Sequence, residues 1–77
     1  MEVKDTARYG LFGGGDMIHY GTMEEMLAKG KEMASAKADV CYTISSLTFV
    51  GDEPREGVRI ISFYRVGERI YVINELV

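Results

Sequence analysis

Seventy-seven residues, 47% of them hydrophobic and including five tyrosines and three phenylalanines, make one small domain and exclude a disordered chain. A net charge of −3 and a pI near 5.0 argue against duplex nucleic acid as the main partner, because affinity there comes from neutralising phosphates. They leave a basic protein surface open as a partner. The single cysteine, Cys41, allows no internal disulfide, and no run of residues approaches membrane-spanning length, so a cytoplasmic location and no membrane contact are expected.

Residues 1–7 carry no pattern and read as a loose lead-in, with no apolar stretch of the secretory kind. Tyr9-Gly10-Leu11-Phe12 and Met17-Ile18-His19-Tyr20 are two short β-prone runs. Between them Gly13-Gly14-Gly15-Asp16 has the length and composition of a hairpin loop that needs positive φ. Gly21 then breaks the second strand.

Thr22 to Ala38, TMEEMLAKGKEMASAKA, is the one convincing helix. Thr22 with Glu25 three positions on predicts a capping box, in which hydroxyl and carboxylate each accept from the other residue's backbone N–H. Glu24 and Glu25 suit the positive end of the helix dipole and Lys37 the negative end. Met23, Met26, Leu27, Gly30, Met33 and Ala34 fall on one apolar stripe that must cover the core. A glycine inside that stripe costs roughly 1 kcal/mol against alanine, and close approach of the helix backbone to a sheet is the better reason for it. Lys29, Lys31 and Glu32 face solvent, with Glu25 and Lys29 as a weak i,i+4 pair.

Asp39 ends the helical pattern. Val40 to Val50, VCYTISSLTFV, reads as a long strand whose alternation changes phase at Ser45-Ser46, which predicts a bulge or bend there. Gly51 to Gly57 reads as a seven-residue charged loop. Val58 to Val66 and Arg69 to Leu76 are the next strands, joined by Gly67-Glu68 as a two-residue turn with glycine first. Both faces of that ribbon carry apolar side chains. The order β-β-α-β-β-β, over residues 1–77 as a single domain, predicts an α+β fold: an antiparallel sheet with one helix packed across one face.

Chemistry is sparse along the chain. His19 is the only histidine, and no carboxylate or thiol stands at ligand spacing from it, so a structural or surface role is favoured and neither a catalytic residue nor a metal or cofactor is expected. Cys41, between Val40 and Tyr42, reads as a small core or sheet residue rather than a nucleophile. Gly13-Gly14-Gly15 lacks the Lys-Ser/Thr ending of a phosphate loop and does not lead into a helix. Arg59, Arg65 and Arg69 are interleaved with Phe63, Tyr64 and Tyr71, a pattern that fits cross-strand packing better than a nucleic-acid platform. Asp52, Glu53 and Glu56 stand together in the charged stretch.

The Tyr9-Gly10-Leu11-Phe12 strand, the glycine turn, the helix start Gly21-Thr22-Met23-Glu24-Glu25 and the β-rich tail resemble, in layout, small accessory proteins of bacteriophages and mobile elements, among them anti-CRISPR proteins. The resemblance implies a non-enzymatic, stoichiometric inhibitor whose partner is a bacterial host protein or ribonucleoprotein complex, and which works in the host cytoplasm. Asp52, Glu53 and Glu56 are then the partner-binding patch, with Tyr64 and Tyr71 as aromatic anchors. Two other readings stand beside it. One is an oligomeric sponge that holds a nucleotide signal through Gly13, Gly14 and Gly15 with Arg59, Arg65 or Arg69. The other is a homodimeric structural or regulatory module that uses its apolar ribbon face.

Overall fold

The computed structural model describes residues 8–37 and 39–75. The expected lead-in, residue 38 and residues 76–77 lie outside the described residues. The first hairpin joins β1 (Tyr9–Gly13) to β2 (Asp16–Gly21). Its turn is two residues and not four, because Gly13 and Asp16 pair across it and only Gly14 and Gly15 remain, at φ 64° and 92°. Two successive positive φ values suit the right-handed twist of the flanking strands and are cheap only for glycine. Opposite the step from Leu11 to Phe12, β2 carries an extra residue, Ile18.

The helix α1 (Met23–Ala36) begins as its sequence demands. Glu25 N–H donates to Thr22 Oγ1 (3.1 Å), and Thr22 N–H donates to Glu25 Oε1 (2.9 Å). This fixes the Glu25 carboxylate at the N-terminus, so the expected pair with Lys29 does not form; Lys29 Nζ instead lies 3.9 Å from Glu32 Oε1. The helix stops at Ala36, with Lys37 as its C-cap. Asp39, at φ 68°, turns the chain away.

Met26, Gly30 and Ala34 form the buried line of α1, flanked by the half-buried Met23, Leu27 and Met33. They lie on Leu11, Tyr42, Ile44 and Phe63 of the sheet, and each fully buried large side chain contributes about 1.5–3 kcal/mol.

Three more strands complete the sheet: β3 (Tyr42–Val50), β4 (Glu53–Val66) and β5 (Arg69–Asn74). All pairings are antiparallel and the order is β2-β1-β3-β4-β5. The helix therefore carries the chain from the edge strand β2 across β1 to β3. One row across the sheet, Leu11–Ile44–Ile61, and the next, Gly13–Tyr42–Phe63–Val72, define the helix-covered face.

Gly51 to Gly57 is not a loop. Val50 pairs with Glu53 across a two-residue turn, Gly51-Asp52, and the rest of the charged stretch belongs to β4. Gly51, at φ 66°, takes the first turn position, as Gly67 does at 61° between β4 and β5. The irregularity expected at Ser45-Ser46 is present as two register shifts around Ser45, but the extra residues lie on β4, the longer strand. β3 begins at Tyr42, leaving Val40 and Cys41 ahead of it; Cys41 is exposed and is neither a core nor a sheet residue. No helix among the described residues is long and apolar enough to cross a membrane.

Candidate protein-binding surface

Two features of the sheet stand outside the helix-covered core. The first is an arm. β1 pairs with β3 only as far as Ser46, and β5 pairs with β4 only from Ile61 onward. Beyond those points β3 and β4 continue as a two-stranded ribbon, closed by Gly51-Asp52. Alternation along its register puts Leu47, Phe49, Pro54 and Glu56 on one face and Thr48, Val50, Glu53 and Arg55 on the other. Phe49, Val50 and Val58 are each more than half exposed.

The three carboxylates expected as a patch are all on this arm, in different settings. Asp52 is at its tip and makes no hydrogen bond or ion pair with the described residues. Glu53 lies 3.1 Å from Arg55 on the same face, a solvent-exposed pair. Glu56, on the opposite face, accepts from Ser45 Oγ (2.7 Å) and lies 3.8 Å from Arg59 Nε. Two of the three acidic groups, Glu53 and Glu56, thus meet one arginine each. Exposed pairs of this kind contribute about 0–1 kcal/mol each, so they orient side chains more than they stabilise the fold.

The second feature is an aromatic pair. Tyr64 and Tyr71 are directly opposite one another on β4 and β5, their rings stacked at 5.3 Å and 19° on the face away from α1. Tyr71 remains exposed. Tyr64 shares a strand with Glu56 but stands roughly 25 Å along it, at about 3.3 Å per residue. The structure therefore gathers Asp52, Glu53 and Glu56 on one arm and places Tyr64 and Tyr71 at the other end of the ribbon.

The residues of the anion-binding alternative are dispersed within one chain. Gly13 is packed so closely that a β-carbon there would lie 2.7 Å from the Tyr42 ring, while Gly14 and Gly15 face open space. Arg59 is beside Glu56; Arg65 reaches the far end of α1, where Nη1 donates to Ser35 O (2.8 Å); Arg69 is at the Gly67-Glu68 turn. His19 lines a shallow groove of about 310 Å³ between β2 and α1, with Tyr20, Glu25, Lys29 and Glu32. Among the described residues, no three His, Cys, Asp or Glu side chains are placed to hold a metal ion.

Sequence reasoning missed the arm itself. The signal was available: Gly51-Asp52 has the same glycine-first form as Gly67-Glu68, and reading it as a turn would have extended the strand back to Glu53. It also missed a buried hydroxyl chain on the helix-free face, Thr43 Oγ1 to Ser62 Oγ (3.0 Å) and Ser62 Oγ to Glu75 Oε2 (2.9 Å). No local pattern marks that chain, because its members come from β3, from β4 and from the residue that follows β5. Comparison with family models, with curated proteins and with solved structures found no match to this sequence or fold.

Proposed function

We propose that this chain is a non-enzymatic binding protein that blocks a bacterial defence complex in the manner of anti-CRISPR inhibitors, with the β3–β4 arm as its contact element. The observation that supports this reading is the arm: an apolar tip, Phe49 and Val50, set beside Asp52 and Glu53 and held away from the helix-covered core. Single exposed apolar residues are ordinary, but Phe49 on one face of the projecting tip and Val50 on the other give both faces an apolar centre that a cleft closing around the tip would cover. A desolvated aromatic anchor surrounded by charge is the composition of a binding hot spot. Carboxylates at such a tip complement a basic cleft of the kind that otherwise holds nucleic acid, so the partner is a host protein or ribonucleoprotein complex in the host cytoplasm. Tyr64 and Tyr71 supply a second, flatter contact.

The test is phage plating on a CRISPR-immune host that expresses the chain. The native protein is expected to restore plaques. The Phe49→Asp/Val50→Asp variant and the Asp52→Lys/Glu53→Lys variant are expected to lose that effect with little change in melting temperature; Glu56 is left in place because it accepts from the buried Ser45 hydroxyl. Plating that stays restricted with the native chain, or arm variants that protect as well as it does, would overturn the reading.

A further inference from the structure

We infer that β5 pairs with β5 of a second copy, antiparallel and centred on Val72, so that the two five-stranded sheets become one. The inference rests on the edge of the sheet and is independent of the arm.

Among the described residues, β5 has a strand on one side only. Native sheets protect such edges with prolines, lysines, bulges or very short strands. The opposite edge, β2, is interrupted by the extra residue Ile18. β5 runs Arg69-Ile70-Tyr71-Val72-Ile73-Asn74 in unbroken register with β4 and has none of these devices. It exposes Tyr71, Val72 and Ile73 in succession, apolar on both faces.

The backbone decides which residues can pair outward. Glu75 N–H donates to Ile60 O (2.8 Å), so position 75 points its backbone groups at β4. By alternation Arg69, Tyr71 and Ile73 do the same, and Ile70 and Val72 direct theirs away from the sheet. A two-fold axis through the Val72–Val72 pair therefore joins residues whose donors and acceptors face outward.

The side chains select the same register. Centring on Val72 sets Tyr71 opposite Ile73 of the second copy, and Arg69 opposite its Glu75. The Arg69 side chain makes no hydrogen bond or ion pair with the described residues. Glu75 uses Oε2 for Ser62, and its other oxygen can accept from an arginine. Moving the axis to Tyr71 would set Arg69 against Ile73 and leave both charges unmatched. The two-fold repeats the Arg69–Glu75 pair, so this charge complementarity favours a second copy of this chain over an unrelated strand. Both helices then lie on one face of the joined sheet.

Sedimentation equilibrium of the full chain, over a concentration series reaching roughly 1 mM, tests this. The native protein is expected to be a dimer. Arg69→Glu, which puts two carboxylates face to face, should weaken association at least tenfold, and Arg69→Glu/Glu75→Arg should restore it. Because Glu75→Arg also removes the Ser62 contact, Val72→Pro provides a second reading. It deletes a donor that points out of the sheet, so it should give a folded monomer with the native circular dichroism spectrum. A native chain that stays monomeric through the series, or Arg69→Glu and Val72→Pro proteins that dimerise as well as the native one, would overturn the inference.

Discussion

Phe63 lies directly against the backbone of Gly30: a β-carbon at position 30 would stand 2.6 Å from Cε2 of the ring. The ring is wholly buried and cannot swing into solvent. Two effects oppose each other in Gly30→Ala. Helix propensity favours alanine by about 1 kcal/mol, while overpacking a closed core costs about 1–3 kcal/mol. The clash is expected to win, lowering stability by about 1 kcal/mol in urea denaturation. A more stable Gly30→Ala protein would show that α1 can lift off the sheet without loss.

The capping box makes a graded prediction. Thr22→Ala removes the acceptor for Glu25 N–H and should cost about 1 kcal/mol. Glu25→Gln keeps an oxygen that can accept from Thr22 N–H, and should cost less than Thr22→Ala. Equal losses in thermal denaturation would mean that the negative charge of Glu25 at the helix N-terminus matters as much as the Thr22 hydroxyl.

These features were legible because they are local. A cap, a stripe of side chains and a glycine-first turn are each written within a few residues, so the helix, its start, the meaning of Gly30 and the Gly67-Glu68 turn could all be read directly. The arm was not, since Glu53 to Gly57 is held in strand form by Leu47 to Val50 across the turn, and its charges and proline mimic a loop. The candidate site was legible as a set of residues but not as an arrangement. That Glu53 and Glu56 fall on opposite faces, and that Tyr64 stacks on Tyr71, depends on register, which no single segment encodes.

Arg65 performs a task that the helix sequence leaves undone. The last turn of α1 contains no basic residue, and Arg65 supplies a cation from the sheet by donating to Ser35 O. Arg65→Met should cost about 1 kcal/mol, the range of a cation at a helix C-terminus, with some relief because Arg65 Nε is buried without a partner among the described residues. The sharper readout is hydrogen exchange at Lys37 N–H, which closes the last turn on Met33 O. It should exchange faster in Arg65→Met, while Met26 N–H at the first turn is unaffected. Unchanged exchange at Lys37 would remove the capping role.

The hydroxyl chain has a direction, because Ser62 gives its one proton to Glu75 and must therefore accept from Thr43. Ser62→Ala strands the Thr43 hydroxyl in a buried position and should cost about 1–3 kcal/mol. Thr43→Val leaves the Ser62–Glu75 bond intact and should cost less. Urea midpoints in the reverse order would refute the assigned direction.

The position of β1 between β2 and β3 also governs how the chain assembles. The hairpin of β1 and β2 and the meander of β3, β4 and β5 are each closed by two-residue turns and can form early. What joins them is one seam, Tyr9–Gly13 against Tyr42–Ser46, whose closure must gather the whole intervening helical segment. Until that seam closes, β1 presents a bare edge to its surroundings, and α1 acts as the tether that limits how far the two ribbons can stray. Folding speed should therefore be set where Leu11 meets Ile44, and changes to the arm should leave it untouched.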